Sequence, residues 1–226
     1  MGKIIIQEET TKNPVTLIGK EAGICYGTNI TNENDNYKRG LDCLKSNHGR
    51  TLEFPQVYLI VDGFSAKFAR EFYTHIGGSP TRLQSSTRYI NYQRGFSYIT
   101  PHTISNNEKT EEIYREAVHQ ILYAMQQLDE LGVPREDSSM LMPLSYISRF
   151  IVRTNLRNLI DMSHQRECTR AYWEYRDFMR DLKEALSDYS PQWKYIVDNY
   201  FKPKCELFGY CNERKSCGRK PKMENK

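Results

Sequence analysis

The sequence predicts an α+β fold: a single domain with a central sheet flanked by long helices. A short β-branched and aromatic run closed by Asp-Gly, "VYLIVDG" at 57–63, indicates a buried strand. Several longer segments instead repeat apolar residues at helical spacing. The chain has 226 residues, enough to bury a core, and no internal repeat or Gly/Ser linker divides it. We therefore expect one domain over 1–201, followed by a basic, cysteine-containing tail over 202–226.

The first half of the chain contributes two strands and two helices to this prediction. "MGKIIIQEETTK" (1–12) is typical of a first strand, and the strand at 57–63 is followed by a predicted helix over 65–78. Ser65 can cap the start of that helix, and Gly77 or Gly78 can end it. The longest helix is predicted over 106–134, and its apolar stripe is interpreted as core packing. The stripe consists of Ile113, Val118, Ile121, Leu122, Met125 and Leu128.

The second half is mainly helical. "YISRFIVRTN" (146–155) alternates as a strand does, although a helix is also compatible with it. The pattern from 156 to 186 is helical, with an expected bend near 168–171. Ser-Pro at 190–191 opens the last predicted helix, which extends to residue 201.

Composition and missing motifs exclude several classes of function. No apolar run approaches the roughly 20 residues of a transmembrane helix, and the N-terminus lacks the apolar core of a signal peptide. We therefore expect a cytoplasmic protein, with no membrane partner and with reduced cysteines. The sequence contains no Gly-rich dinucleotide loop, Walker loop or His-Glu-x-x-His motif. The net charge of +4 and the short run "GRKPK" are weak support for nucleic-acid binding, which is not expected.

Three cysteines in the tail raise the question of a metal site. Cys205, Cys211 and Cys217 are separated by five residues each, whereas structural zinc sites usually contain pairs two to four residues apart. The spacing indicates no fourth ligand. Free thiols on a basic tail are the preferred interpretation, with no metal, and a zinc site is the alternative.

Two polar clusters could carry chemistry. The stretch "TRLQSSTRYINY" (81–92) combines two arginines with several hydroxyls, which suits a phosphate or another planar anion. The stretch "RTNLRNLIDMSHQR" (153–166) contains more charge than a core helix tolerates, and Asn155 can cap its start. On composition alone, however, a solvated turn and a surface helix with weak ion pairs account for both clusters.

Taken in order, several motifs resemble those of the flavin-dependent thymidylate synthase family. That family carries arginine-histidine-arginine, a seven-residue gap, and then serine-x-arginine, usually followed by tyrosine. Here "THI" (74–76) occupies the position of the triplet and "STRY" (86–89) matches the end. "NHGRTLEF" (47–54), "GVPREDSSMLMPLS" (132–145) and "NLRNLIDMSHQR" (155–166) resemble other family segments. The resemblance extends from about residue 20 to about residue 180.

The resemblance implies an enzyme that methylates dUMP with FAD as cofactor, methylenetetrahydrofolate as carbon donor and NADPH as reductant. Arg166 matches the catalytic arginine that contacts the uracil and favours its ionised form. The implied dUMP-binding residues are Gln84, Ser86, Thr87, Arg88, Tyr89 and Arg166. The implied FAD-binding residues are His48, Glu53, Thr74, His75, Ile76, Asn155, Arg157 and Asp161. The family also implies a homotetramer with sites between subunits, which suits the sixteen tyrosines of this chain.

The chain departs from the family pattern mainly by losing cations. The gap between the triplet and Ser86 is two residues longer than in the family. Five family side chains, three of them arginines, are replaced here by Phe54, Thr74, Ile76, Gln84 and Ser139. A charge-assisted hydrogen bond contributes about 1.5–3 kcal/mol, so binding phosphorylated ligands requires compensation. We hypothesise that Arg82, within the insertion, or Arg153 restores part of the charge.

Three alternatives remain open from the sequence. The chain could bind a pyrimidine nucleotide or flavin without catalysis, or it could act on another pyrimidine nucleotide. It could also bind nucleic acid through the cysteine-containing basic tail.

Overall fold

The structure, a computed structural model, describes residues 2–92 and 94–223 and contains one four-stranded sheet. The strands are β1 Lys3–Ile6, β2 Gln56–Ser65, β3 Thr81–Gln84 and β4 Ile147–Asn155, in the order β1-β2-β4-β3. The helices are α1 Pro14–Cys25, α2 Glu33–Lys45, α3 Ala66–Phe72, α4 His102–Ser105, α5 Glu108–Glu130, α6 Arg135–Ser138, α7 Leu156–Arg166, α8 Trp173–Tyr189, α9 Pro191–Tyr200 and α10 Lys204–Phe208. The predicted α+β fold with a central sheet is confirmed.

Strand β4 resolves the ambiguity at 146–155. Its even-numbered residues from Ser148 to Thr154 are buried, while Arg149, Ile151 and Arg153 are exposed. This alternation is the period of a half-buried strand, so the strand interpretation is confirmed. Strand β3, by contrast, was not expected, because its four residues lie within the stretch interpreted as a loop.

Two predicted helices are shorter than expected. Helix α3 begins where Ser65 Oγ accepts a hydrogen bond from Phe68 N at 3.0 Å, as predicted, but it ends at Phe72 rather than near residue 78. The following residues form turns, in which Gly78 and Ser79 have positive φ angles of 68° and 51° that a helix cannot accommodate. The predicted bend near 168–171 is a complete break between α7 and α8, closed by a hydrogen bond from Ala171 N to Cys168 O.

The chain divides into two compact units. The first unit comprises Met1–Lys3, Val61–Tyr73 and Leu83–Phe150. Its core contains a cluster of phenylalanines, in which the ring of Phe150 lies 6.3 Å from that of Phe68 and 5.1 Å from that of Phe72.

The apolar stripe of α5 is only partly buried. Val118 and Met125 belong to the core, as predicted, but Ile113 is 71% exposed, and the prediction is wrong for that residue. Ile121, Leu122 and Leu128 are half-buried. The first turns of α5 present this face to solvent, so helical periodicity alone overestimated what the single chain buries.

The second unit comprises Ile4–Ile60, Thr74–Arg82 and Ile151–Lys226. Its helices α1 and α2 cross closely, because each carries a glycine that lies against the backbone of the other helix. A Cβ on Gly19 would lie 1.8 Å from Asn36 O, and a Cβ on Gly40 would lie 1.9 Å from Val15 O. The remaining core contains the buried faces of α7, α8 and α9. Within the described part of the chain, no helix combines the length and apolar character needed to cross a membrane.

Candidate active site

Arg166, at the end of α7, is the centre of a cluster in the second unit. Its Nε donates a hydrogen bond to His75 Nε2 at 3.0 Å, and its Nη2 donates to Thr74 Oγ1 at 3.4 Å. The guanidinium also lies over the ring of Tyr175, 4.5 Å from its centroid. The cation–π contact and the two hydrogen bonds together restrict the rotation of this group. Arg166 is therefore held in a defined orientation.

His75 is held in its neutral form. The residue is 8% exposed, and its ring meets Tyr175 edge-on at 5.7 Å. Burial, together with the positive charge of Arg166, lowers the pKa of His75 to about 4. Because Nε2 accepts a hydrogen bond from Arg166, the ring proton belongs on Nδ1. At neutral pH, the unprotonated Nε2 of His75 can therefore accept a hydrogen bond from the guanidinium of Arg166.

The turn that carries Thr74 and His75 packs against the start of α7. A Cβ on Gly78 would lie 1.8 Å from Asn155 Nδ2, so only glycine fits this position, which also has a φ of 68°. Asn155, 3% exposed, caps α7 as predicted by accepting from Asn158 N at 2.9 Å. The cap fixes the start of the helix that presents Arg166.

A second polar cluster in the same unit joins two predicted residues. Arg157 Nη1 donates to Glu53 Oε1 at 2.7 Å, and Arg50 Nη1 donates to the other carboxylate oxygen at 3.4 Å. Gly49 packs beside this pair, because a Cβ there would lie 3.3 Å from Arg157 Cζ. His48 is exposed at the turn that precedes it. The exposed cations at this site suit an anionic ligand.

The predicted nucleotide loop lies in the first unit and follows strand β3. Gln84 Nε2 donates to Ser148 Oγ at 2.7 Å, and Ser85 N donates to Arg149 O at 2.8 Å. Ser86 Oγ then accepts from Arg88 N at 3.2 Å, which closes a tight turn. The start of the loop is thus fixed to strand β4, while Tyr89 is 77% exposed.

Arg88 has an internal carboxylate partner. Its Nε donates to Glu136 Oε2 at 2.7 Å, and its guanidinium lies 5.9 Å from the ring centroid of Tyr89. Both members of the ion pair are exposed, and such pairs contribute only about 0–1 kcal/mol. A phosphate could therefore replace Glu136 at little cost.

The structure adds one cation that sequence reasoning did not assign. Arg135 lines a small pocket together with Thr87, Ser138 and Ser139. It adjoins the position where Ser139 replaces the arginine of the family. The segment "GVPREDS" contained this signal, since Arg135 lies four residues before Ser139. Tyr175 and Glu136 were also missed, because nothing in their local sequence distinguishes them.

The remaining predicted residues have less defined surroundings. Ile76 is 70% exposed, and Asp161 is exposed one turn after Arg157 on α7. Arg82 is half-buried on β3, and Arg153 is exposed on β4. Whether either arginine compensates for the missing cations stays a prediction.

The tail forms short elements rather than a free segment. Cys211 N donates to Pro221 O at 2.7 Å, and Met223 N donates to Cys211 O at 3.0 Å, which closes a loop. Cys205, Cys211 and Cys217 all carry free thiols. Over residues 2–92 and 94–223, no group of histidine, cysteine and acidic side chains is arranged to hold a metal ion.

Comparisons with known proteins identify the family of this chain. The family model Thy1, "Thymidylate synthase complementing protein", matches residues 8–192. A flavin-dependent thymidylate synthase from Pyrococcus furiosus is 27% identical over 216 residues, which cover 90% of this chain and 87% of the relative. Another from Geobacter sulfurreducens is 26% identical over 189 residues, which cover 80% and 81%.

Solved structures share the fold. The flavin-dependent thymidylate synthase ThyX from Helicobacter pylori, complexed with FAD and dUMP, superposes with a TM-score of 0.70 at 18% identity, covering 88% of this chain and all of that one. A second structure of that protein with FAD and dUMP gives a TM-score of 0.66 at 19% identity, covering 89% of this chain and all of that one. With a family model matched over most of its length, the chain belongs to the thymidylate synthase complementing protein family, which is the family of the flavin-dependent thymidylate synthases.

Proposed function

We propose that this chain is an active flavin-dependent thymidylate synthase. It binds FAD and methylates dUMP to dTMP, with methylenetetrahydrofolate as the carbon donor and NADPH as the reductant. The relatives carry the name of this activity, and the related structures contain FAD and dUMP. The observation that carries the proposal is the restrained guanidinium of Arg166, held by His75, Thr74 and Tyr175.

Arg166 is the proposed catalytic residue because it stabilises negative charge on the pyrimidine. A guanidinium that is already oriented needs little reorganisation when charge develops on the uracil, which lowers the barrier. His75 supports this role as a neutral acceptor, since a protonated imidazole would repel Arg166. The ionised pyrimidine is the better nucleophile at carbon, so no cysteine nucleophile is required.

The loop that follows β3 is the proposed dUMP site. Arg88 offers a planar donor fork for the phosphate, and Ser86 and Thr87 offer hydroxyls. Arg135, beside Thr87, supplies a cation near the position of the lost family arginine. Gln84, Tyr89 and Arg166 complete the proposed set. Replacing Arg135 with alanine should weaken dUMP binding about tenfold or more. If Arg82→Ala weakens dUMP binding by that factor and Arg135→Ala does not, the insertion is the source of the compensating charge.

The residues proposed for FAD fit a diphosphate-bearing cofactor. The half-exposed guanidinium of Arg157 and the exposed ring of His48 supply donors, and Gly49, beside Arg157, allows close approach of the backbone. Thr74, Ile76, Glu53 and Asp161 would contact the cofactor directly. His75 and Asn155 are buried, so their contribution would be to position the turn and the helix. The flavin, when bound, supplies the hydride chemistry that this chain's own side chains lack.

The proposed assembly is a homotetramer, as in the family resemblance. The exposed Ile113 and the half-buried Leu128 lie on one apolar side of α5, which a second copy would cover. Ile113→Arg should lower the molar mass measured by light scattering, and His119→Arg, on another face of α5, should leave it unchanged. An unchanged mass for Ile113→Arg would remove α5 from the interface.

The proposed location is the cytoplasm, where reduced pyridine nucleotides and dUMP are available.

The decisive experiment combines product analysis with a matched variant. Purified protein is supplied with FAD, dUMP, methylenetetrahydrofolate and NADPH, and dTMP is quantified by chromatography. Arg166→Ala should lower the turnover by at least about a hundredfold, because a preorganised charge contributes several kcal/mol. Arg180→Ala, an exposed arginine on α8, should retain wild-type turnover. Binding of FAD and dUMP without any dTMP would instead support a non-catalytic homologue.

A further inference from the structure

The tail and the end of α7 enclose a cavity in the second unit. Its volume is about 560 Å³, within the roughly 300–1,000 Å³ of small-molecule sites. The residues proposed for dUMP and FAD share only Arg166 with its lining. Neither of those ligands therefore accounts for the cavity.

The lining of this cavity is strongly cationic. Five arginine or lysine side chains and a single carboxylate contribute to it: Arg166, Arg170, Lys204, Lys215, Arg219 and Glu213. Glu213 is already engaged by Arg170 at 3.5 Å. Among the described residues, Lys204 and Lys215 form no salt bridge, so their charge is available to a ligand. Clustered cations with a concave wall concentrate anions.

Hydrogen bonds hold the tail in this position. Arg170 Nη1 donates to Lys215 O at 3.4 Å, and Arg219 Nη1 donates to Glu167 O at 3.3 Å. The hydrogen bonds between Cys211 and residues 221 and 223 close the loop behind them. The cationic wall is thus a defined surface rather than a mobile basic segment.

We propose that this cavity, the tail pocket, binds a small molecule carrying two or more negative charges beside Arg166. Resting on the proposed function, the ligand is the anionic end of a co-substrate. Phosphate groups of NADPH and glutamate carboxylates of the folate share this chemistry. Either would direct the reactive end of the molecule toward Arg166, which lines the same cavity.

The test removes the two lysines without touching Arg166. The variant Lys204→Ala/Lys215→Ala is compared with Arg214→Ala/Lys220→Ala, which removes two charges from the same tail at residues outside the lining. With FAD and dUMP saturating, pyrophosphate is titrated and the melting temperature is followed. Pyrophosphate should stabilise the wild type and the control but not the lysine variant. Equal stabilisation of both variants overturns the proposed site, whether or not the protein makes dTMP.

Steady-state kinetics then identify the source of the anion. The lysine variant should raise one KM about tenfold, with kcat and dUMP affinity within about twofold of the control. A rise in the KM for NADPH assigns the phosphates of the reductant, and a rise in the KM for methylenetetrahydrofolate assigns the glutamate carboxylates. Loss of the pyrophosphate response without a change in either KM refutes the co-substrate assignment.

Discussion

Replacing His75 with glutamine tests whether its neutral imidazole supports Arg166. Glutamine keeps an acceptor for the Arg166 guanidinium but cannot be protonated. The folded pKa of His75 is lowered to about 4 from an ordinary 6.5, so the unfolded chain binds the proton more tightly. The contribution of His75 to stability is therefore complete above pH 6.5 and is lost as the pH falls toward 4.

The magnitude follows from the two pKa values. Between about pH 7.5 and about pH 4.5, linkage predicts a loss of about 2.5 kcal/mol from the unfolding free energy of the wild type. His75→Gln should lack this component, while the other titrating groups cancel in the difference between the two proteins.

The assay is urea unfolding at both pH values. His119→Gln, which removes an exposed histidine from α5, serves as the control and should follow the wild type. If His75→Gln shows the same decrease in stability as the wild type, His75 is not buried in neutral form and the account of Arg166 fails.

Two further predictions concern backbone packing and thiol reactivity. Gly78→Ala should destabilise the protein by about 3 kcal/mol or more, because its Cβ would meet Asn155 at 1.8 Å. Gly27→Ala, with a similar φ but open surroundings, should cost only about 1 kcal/mol. Thermal unfolding compares the two variants, and equal losses of stability would contradict the packing argument. A hydrogen bond with Thr169 lowers the pKa of the Cys217 thiol. Thr169→Val should therefore shift the onset of Cys217 alkylation by iodoacetamide to higher pH, as measured by mass spectrometry. An unchanged pH profile of alkylation would exclude this hydrogen bond.

Local pattern was sufficient for much of the fold. The β-branched run of β2, the Ser65 cap of α3, the Asn155 cap of α7 and the stop after α5 are consequences of propensity and capping within a few residues. The short strand β3 was not predictable in this way. Its residues are polar, and only pairing with β4 makes them a strand.

The family motifs in the sequence also determined which residues to consider at the site, but not how they meet. His75 and Arg166 are 91 positions apart, and Glu53 and Arg157 are 104 apart, so their hydrogen bonds depend on packing that no local window contains. Burial in that packing keeps His75 neutral, and the folded tail turns scattered basic residues into one lined cavity. Sequence thus determined most of the elements and the residue types, because these follow from short-range chemistry. Tertiary structure alone decided which charges are paired, buried or available, because those properties depend on neighbours distant in the chain.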